Sequence, residues 1–158
     1  PFLRTLPSSI IPTEYMLTNK RFSGDVSGVI GETLYLAYIE KVLGLSASNT
    51  MHLRFYKGVT GDPSIISMAD FYTIPSRDLR IDTIEVPANS VILGEAKACT
   101  NPDRGDMEKR LETAYCQIEN ASRLLSHYGA SPPLAIISLA MRDFKNMAYK
   151  LFATLLEV

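Results

Sequence analysis

The stretch RIDTIEVPANSVILGEAKA, residues 80–98, decides how the rest of the chain is read. Apolar residues recur on both sides of PANS (87–90), a tight-turn sequence, so residues 79–86 and 91–98 are expected to form two strands of one hairpin. Alternate residues of a strand share a face. Asp82, Ile84 and Val86 then lie together, as do Val91, Leu93, Glu95 and Lys97 on the partner strand. Pairing through the turn brings Asp82 close to Glu95, with Lys97 two residues further along. Two close carboxylates repel unless a positive charge lies between them. A hard divalent cation, Mg²⁺ or Mn²⁺, is the natural occupant because it takes oxygen ligands and keeps several waters. Lys97 beside it is placed to orient or deprotonate a water, or to offset charge on a phosphate. Such a set hydrolyses phosphodiesters. The competing reading is a solvated cross-strand charge cluster. Against it stands the apolar VILG (91–94) that precedes Glu95, since charges in such a strand need partners if buried.

Upstream, SGDVSGVIGETLYLAYIEKVLG (23–44) carries Ile30, Leu34, Ala37, Tyr38 and Leu43 at helical spacing. Ser23, Asp25 and Ser27 are candidate N-caps and Gly44 a candidate terminating glycine, so a helix is expected over about 26–43. Residues 51–58 and 65–74 read as strands, with turns at 58–63 and 75–78. Together with the hairpin they suggest an antiparallel meander. Downstream, Leu111, Ala114, Tyr115, Ile118, Ala121, Leu124 and Leu125 form the stripe of a helix over about 106–127, closed by Gly129. The nearly all-apolar LAIISLA (134–140) reads as a strand buried on both faces, and 143–156 as a closing amphipathic helix. Residues 1–22, broken by Pro7 and Pro12, read as irregular. The order implies an α/β sandwich around a small mixed sheet, with helix 106–127 crossing over between parallel strands.

The 158 residues suffice for one domain with its own core. Sixteen Lys and Arg against seventeen Asp and Glu give a net charge of -1, which argues against a protein coated in positive charge but leaves room for a local basic patch. No apolar run approaches the roughly 20 residues that span a bilayer, and no membrane partner is expected. The N-terminal stretch has no continuous apolar segment of the secretory kind, so an intracellular location, cytoplasmic or nucleoid-associated, is the expectation. With Pro1 in first place and no initiator Met, a trimmed chain or a piece of a longer protein is expected.

Asp82, twelve intervening residues, then Glu95-Ala96-Lys97 resembles the signature of the PD-(D/E)XK nuclease superfamily. Ile81 stands where the family has its proline. The resemblance implies a three-layer restriction-endonuclease-like core over 23–158, a mixed central sheet flanked by helices. It implies Mg²⁺ or Mn²⁺ held by Asp82, Glu95 and the Ala96 carbonyl, with Lys97 at the water. Glu32, in GVIGETLYLAYIEK, matches the carboxylate that the family's first helix often adds; its other reading is an exposed Glu near a helix N-terminus. Gln117, in AYCQIENA, matches a Gln of the following helix that would orient Lys97 or the substrate; otherwise it is an ordinary interfacial Gln. A second register remains open: Asp70, in SMADFYTI, can stand for the family Asp in place of Asp82, with an inserted hairpin between. Asp78 lies in a turn and is the weakest of the three.

His52 and His127 lack zinc-like spacing. Cys99 and Cys116 read as small packed residues. Arg77, Arg80, Arg104, Lys109 and Arg110 flank the proposed site and are candidates for phosphate contacts. The expected activity is metal-dependent hydrolysis of DNA, by a homodimer or within a larger DNA-processing assembly. The rivals are a catalytically inactive module of the same fold that binds DNA or a protein partner, and an unrelated α/β domain.

Overall fold

The structure, a computed structural model, describes residues 4–6, 20–53, 68–99, 104–143, 145 and 148–158. Its centre is set by the apolar run predicted to be buried on both faces. Strand β7 (Leu134–Asp143) has its first seven residues buried. It runs parallel to β6 (Ile92–Cys99), with Leu93 opposite Ala135 and Glu95 opposite Ile137. A buried strand must satisfy its backbone on both sides, and β8 (Ala148–Glu157) pairs antiparallel with β7 over all ten residues. On the far side of β6, β3 (Phe71–Thr73) pairs antiparallel through Phe71 opposite Gly94, and β2 (Thr50–His52) follows it. β1 (Arg4–Leu6) adds to β8, giving the mixed sheet order β1-β8-β7-β6-β3-β2.

One helix covers each face of this sheet. Helix α1 (Lys20–Lys41) sets Ile30, Leu34, Tyr35, Tyr38 and Ile39 against Ile92, Leu134, Ile136 and the β8 residues Tyr149, Leu151 and Ala153. Helix α2 (Arg104–His127), which links β6 to β7 as expected of the crossover, sets Ala114, Ile118, Ala121 and Leu125 against Leu93, Ala135 and Ile137. Each buried Leu or Ile side chain among them contributes about 1.5–3 kcal/mol of transfer free energy. Both helices end at the expected glycines: Gly44 and Gly129 take positive φ (65° and 79°), and the Leu45 and Ala130 amides bond back to Ile39 and Leu125. Among the described residues no helix is long and apolar enough to cross a membrane.

Four expectations are corrected. Helix α1 begins at Lys20, not near 26, so Ser23, Asp25 and Ser27 lie within it; Ser27 is buried. A capping residue is a preference of about 1 kcal/mol, which a continuing helical backbone overrides. Of the segment 1–22 expected to be irregular, 4–6 form a strand and 20–22 open α1, while 1–3 and 7–19 lie outside the described residues. The closing segment is strand β8, not a helix. Tyr149, Leu151, Ala153 and Leu155 alternate onto the α1 face, and the open edge of β7 supplies the pairing that decides between the two periods.

The fourth correction concerns 79–86, which is two strands. β4 (Leu79–Ile81) and β5 (Ile84–Val86) form a separate two-stranded sheet, closed by Asp82 and Thr83 with Asp82 at φ 56°. Ile81 and Val86 are both buried. Five residues apart, they would face opposite ways in one continuous strand. Folding back at Asp82 puts Leu79, Ile81, Ile84 and Val86 on one apolar face and leaves Arg80 opposite Glu85 in solvent. Parts of the two expected strands at 51–58 and 65–74 lie outside the described residues; 50–52 and 71–73 are strands within them.

Candidate active site

β3 pairs with β6 only as far as Gly94, so the residues just before β3 face the next stretch of β6 without a regular ladder. Asp70 fills that place. Its backbone amide donates to Glu95 Oε2 at 2.9 Å, and its own Oδ2 accepts the Ala96 amide at 3.1 Å. The Glu95 carboxylate is thereby fixed to the Asp70 backbone, and the Asp70 carboxylate to the Ala96 backbone. Glu95 is fully buried. Burial and then the charge of Asp70 push its carboxyl up to about 8, against the pull of the Lys97 ammonium.

Lys97 follows Glu95 on the same face of β6, and its Nζ donates to both Glu95 Oε1 and Gln117 Oε1. Gln117 is tied in turn: its side-chain amide donates to the Met68 carbonyl at 3.0 Å, and its backbone carbonyl accepts the Ala69 amide at 3.1 Å. Helix α2 therefore holds both the lysine and the chain leading into Asp70. The result is two carboxylates, one ammonium and one carboxamide at the point where β3 and β6 part.

Glu32 stands on α1, paired with His52 Nε2 at 3.3 Å, each side chain just under one-third exposed. The His52 ring lies on Phe71, 4.3 Å between centroids, next in sequence to Asp70. On the same helix Tyr35 is fully buried and stacks on Phe71 at 5.0 Å. Among the described residues no group of three or more His, Cys, Asp or Glu side chains is gathered to hold a metal ion. The oxygen donors that do meet, the carboxylates of Asp70 and Glu95, are of the hard type that suits Mg²⁺ or Mn²⁺.

Asp82 is not brought to Glu95. The expected pairing of its strand with β6 does not form, because β6 already has β3 and β7 as neighbours; Asp82 is exposed in the turn of the separate hairpin. Asp70, the second register, is the Asp that meets Glu95. Asp78 is an exposed turn residue that accepts the Ala88 amide at 2.7 Å. Arg77, Arg80 and Lys109 are exposed, and the Arg104 side chain lies outside the described residues. Cys99 is buried as expected, whereas Cys116 is exposed on α2. His127 sits in the last turn of α2, edge-on to Tyr128. The roles of the Met68 carbonyl and of His52 as partner to Glu32 carry no sequence signal, since both depend on where the strand ends fall. No family model, curated protein or solved structure matches the chain.

Proposed function

We propose that the chain is a divalent-metal-dependent nuclease acting on DNA, built on the three-layer restriction-endonuclease-like core of the PD-(D/E)XK superfamily. The observation that carries this reading is the meeting of Asp70, Glu95, Lys97 and Gln117 at one strand junction. In this reading Asp70, Glu95 and the Ala96 carbonyl hold Mg²⁺ or Mn²⁺, while Glu32 is engaged with His52 rather than gathered with them. The bound cation supplies a more acidic water and neutralises charge on the phosphoryl oxygens. Lys97 holds the attacking water through its ammonium, and Gln117 fixes where that ammonium points. The raised carboxyl of Glu95 supports a site that is completed by a cation, because a buried carboxylate beside a second one is costly by itself.

The test is incubation of the purified chain with single-stranded, duplex and branched DNA in Mg²⁺ or Mn²⁺. Cleavage of at least one form is expected, lost in EDTA and in Glu95→Gln. Lys97→Ala should lower the rate by about 10²–10⁴-fold. Protein that binds neither cation and leaves every DNA intact contradicts the reading. Cation binding without cleavage would leave only the inactive binding module.

A further inference from the structure

Two Arg–carboxylate pairs of the same spacing lie on helix α2, and they are built differently. Arg123 and Glu119 are 73% and 61% exposed and touch only across the helix surface. Arg110 and Asp106 are 40% and 36% exposed, and their pair is anchored to the sheet. Asp106 Oδ2 accepts Arg110 Nε at 2.8 Å and also the buried Cys99 thiol of β6 at 3.0 Å. The thiol first and the guanidinium second hold the Asp106 carboxyl below its ordinary range, so it stays ionised and the pair persists. Arg110 is thus a cation locked in direction by a strand residue.

The direction matters because of what shares it. Cys99 lies on the same face of β6 as Glu95 and Lys97, one pleat beyond Lys97. Asp106, Arg110, Ala114 and Gln117 follow one another at spacings of four, four and three along α2, and Ala114 is fully buried against the sheet. Lys97 is joined to Gln117 and Cys99 to Asp106, so strand and helix run side by side from the candidate site to Arg110. Seven residues of helix put Arg110 about 10 Å from Gln117 along the axis, about three nucleotide steps at roughly 3.4 Å each. A guanidinium carries five N–H donors, more than Asp106 and the thiol occupy. Its planar fork suits a phosphate.

We infer that Arg110 binds a backbone phosphate of the DNA about three nucleotide steps from the one that Lys97 faces, with Asp106 and Cys99 as the residues that position it. This rests on the nuclease reading above. It also answers how a chain of net charge -1 holds a polyanion: the positive groups that matter are placed in line rather than in excess.

The experiment is fluorescence anisotropy of the full chain on a labelled DNA duplex in EDTA, from low to physiological salt. In Arg110→Met and Arg110→Gln the slope of log K against log[salt] should shrink by about 0.9, one phosphate contact. Affinity should fall several-fold at low salt. Arg110→Lys should keep the slope, and Arg123→Met, the control on the same helix, should match the parent chain. Thermal melts verify that each variant is folded. An unchanged slope in both Arg110→Met and Arg110→Gln, in a protein that cuts DNA with Mg²⁺, overturns this inference alone. A reduced slope in a protein that never cuts supports the phosphate contact and overturns the nuclease. A parent chain that binds no DNA overturns both.

Discussion

Strand β6 presents two unlike faces. Toward α1 it offers Ile92, Gly94, Ala96 and Ala98; toward α2 it offers Leu93, Glu95, Lys97 and Cys99. The first face is built for close approach. A Cβ on Gly94 would overlap the Tyr35 hydroxyl, and a Cβ on Gly31 of α1 would come within 3.2 Å of the Lys97 backbone. On the second face the helix meets the strand through polar side chains, Gln117 to Lys97 and Asp106 to Cys99. One face fixes the strand by packing, and the other spends that rigidity on a buried charge cluster. Holding reactive groups on a rigid element is what preorganised chemistry requires.

On the polar face the largest effect belongs to Glu95. Its folded carboxyl is raised to about 8 from 4.5, so the folded protein binds more protons than the unfolded chain between those values. The associated stability is fully present below about pH 4.5 and is lost as pH rises through about 8. In metal-free protein this amounts to a loss on the order of 3–5 kcal/mol across that window. Urea unfolding in EDTA at pH 5 and pH 8 should show this loss in the parent chain beyond that of Glu95→Gln. Equal pH dependence in the two proteins would mean that Glu95 is not a costly buried charge.

The packed face is the second target. Gly94→Ala drives a methyl into Tyr35, a fully buried side chain stacked on Phe71, and should cost about 1–3 kcal/mol. Gly28, seven residues before Tyr35 on α1, has nothing within 4 Å of an added Cβ. There Gly28→Ala should stabilise by about 0.5–1 kcal/mol through helix propensity. Denaturant midpoints of the two variants measure the contrast. Similar shifts in both would show that the α1 face is not closely packed at Gly94.

Much of the architecture is legible because it rests on local patterns. The stripes of α1 and α2, the terminating Gly44 and Gly129, and the doubly buried run of β7 need no tertiary knowledge. β8 is different: in AYKLFATLLE the apolar residues satisfy a helical stripe and a strand face alike, and only the vacant edge of β7 chooses. In LRIDTIEV the alternation breaks at Asp82-Thr83, where two polar residues adjoin, and that break marks the turn of a small hairpin rather than the middle of a strand. The same misplacement governs the site. Glu95, Lys97 and Gln117 follow from a strand motif and a helix stripe, so their meeting is readable. The choice of Asp70 over Asp82 as Glu95's neighbour depends on which strands pair, and β6 is paired with β3. Net charge carries little information about the site, because a sum over the whole chain does not say which charges meet.

The most direct measurement compares Asp70→Asn with Asp82→Asn in calorimetric titration with Mn²⁺. Asp70 lies against Glu95 and Asp82 is exposed in a turn. Asp70→Asn is expected to lose cation binding, as Glu95→Gln should, while Asp82→Asn binds like the parent chain. Loss of binding in Asp82→Asn with binding intact in Asp70→Asn would contradict this and return the site to the other register.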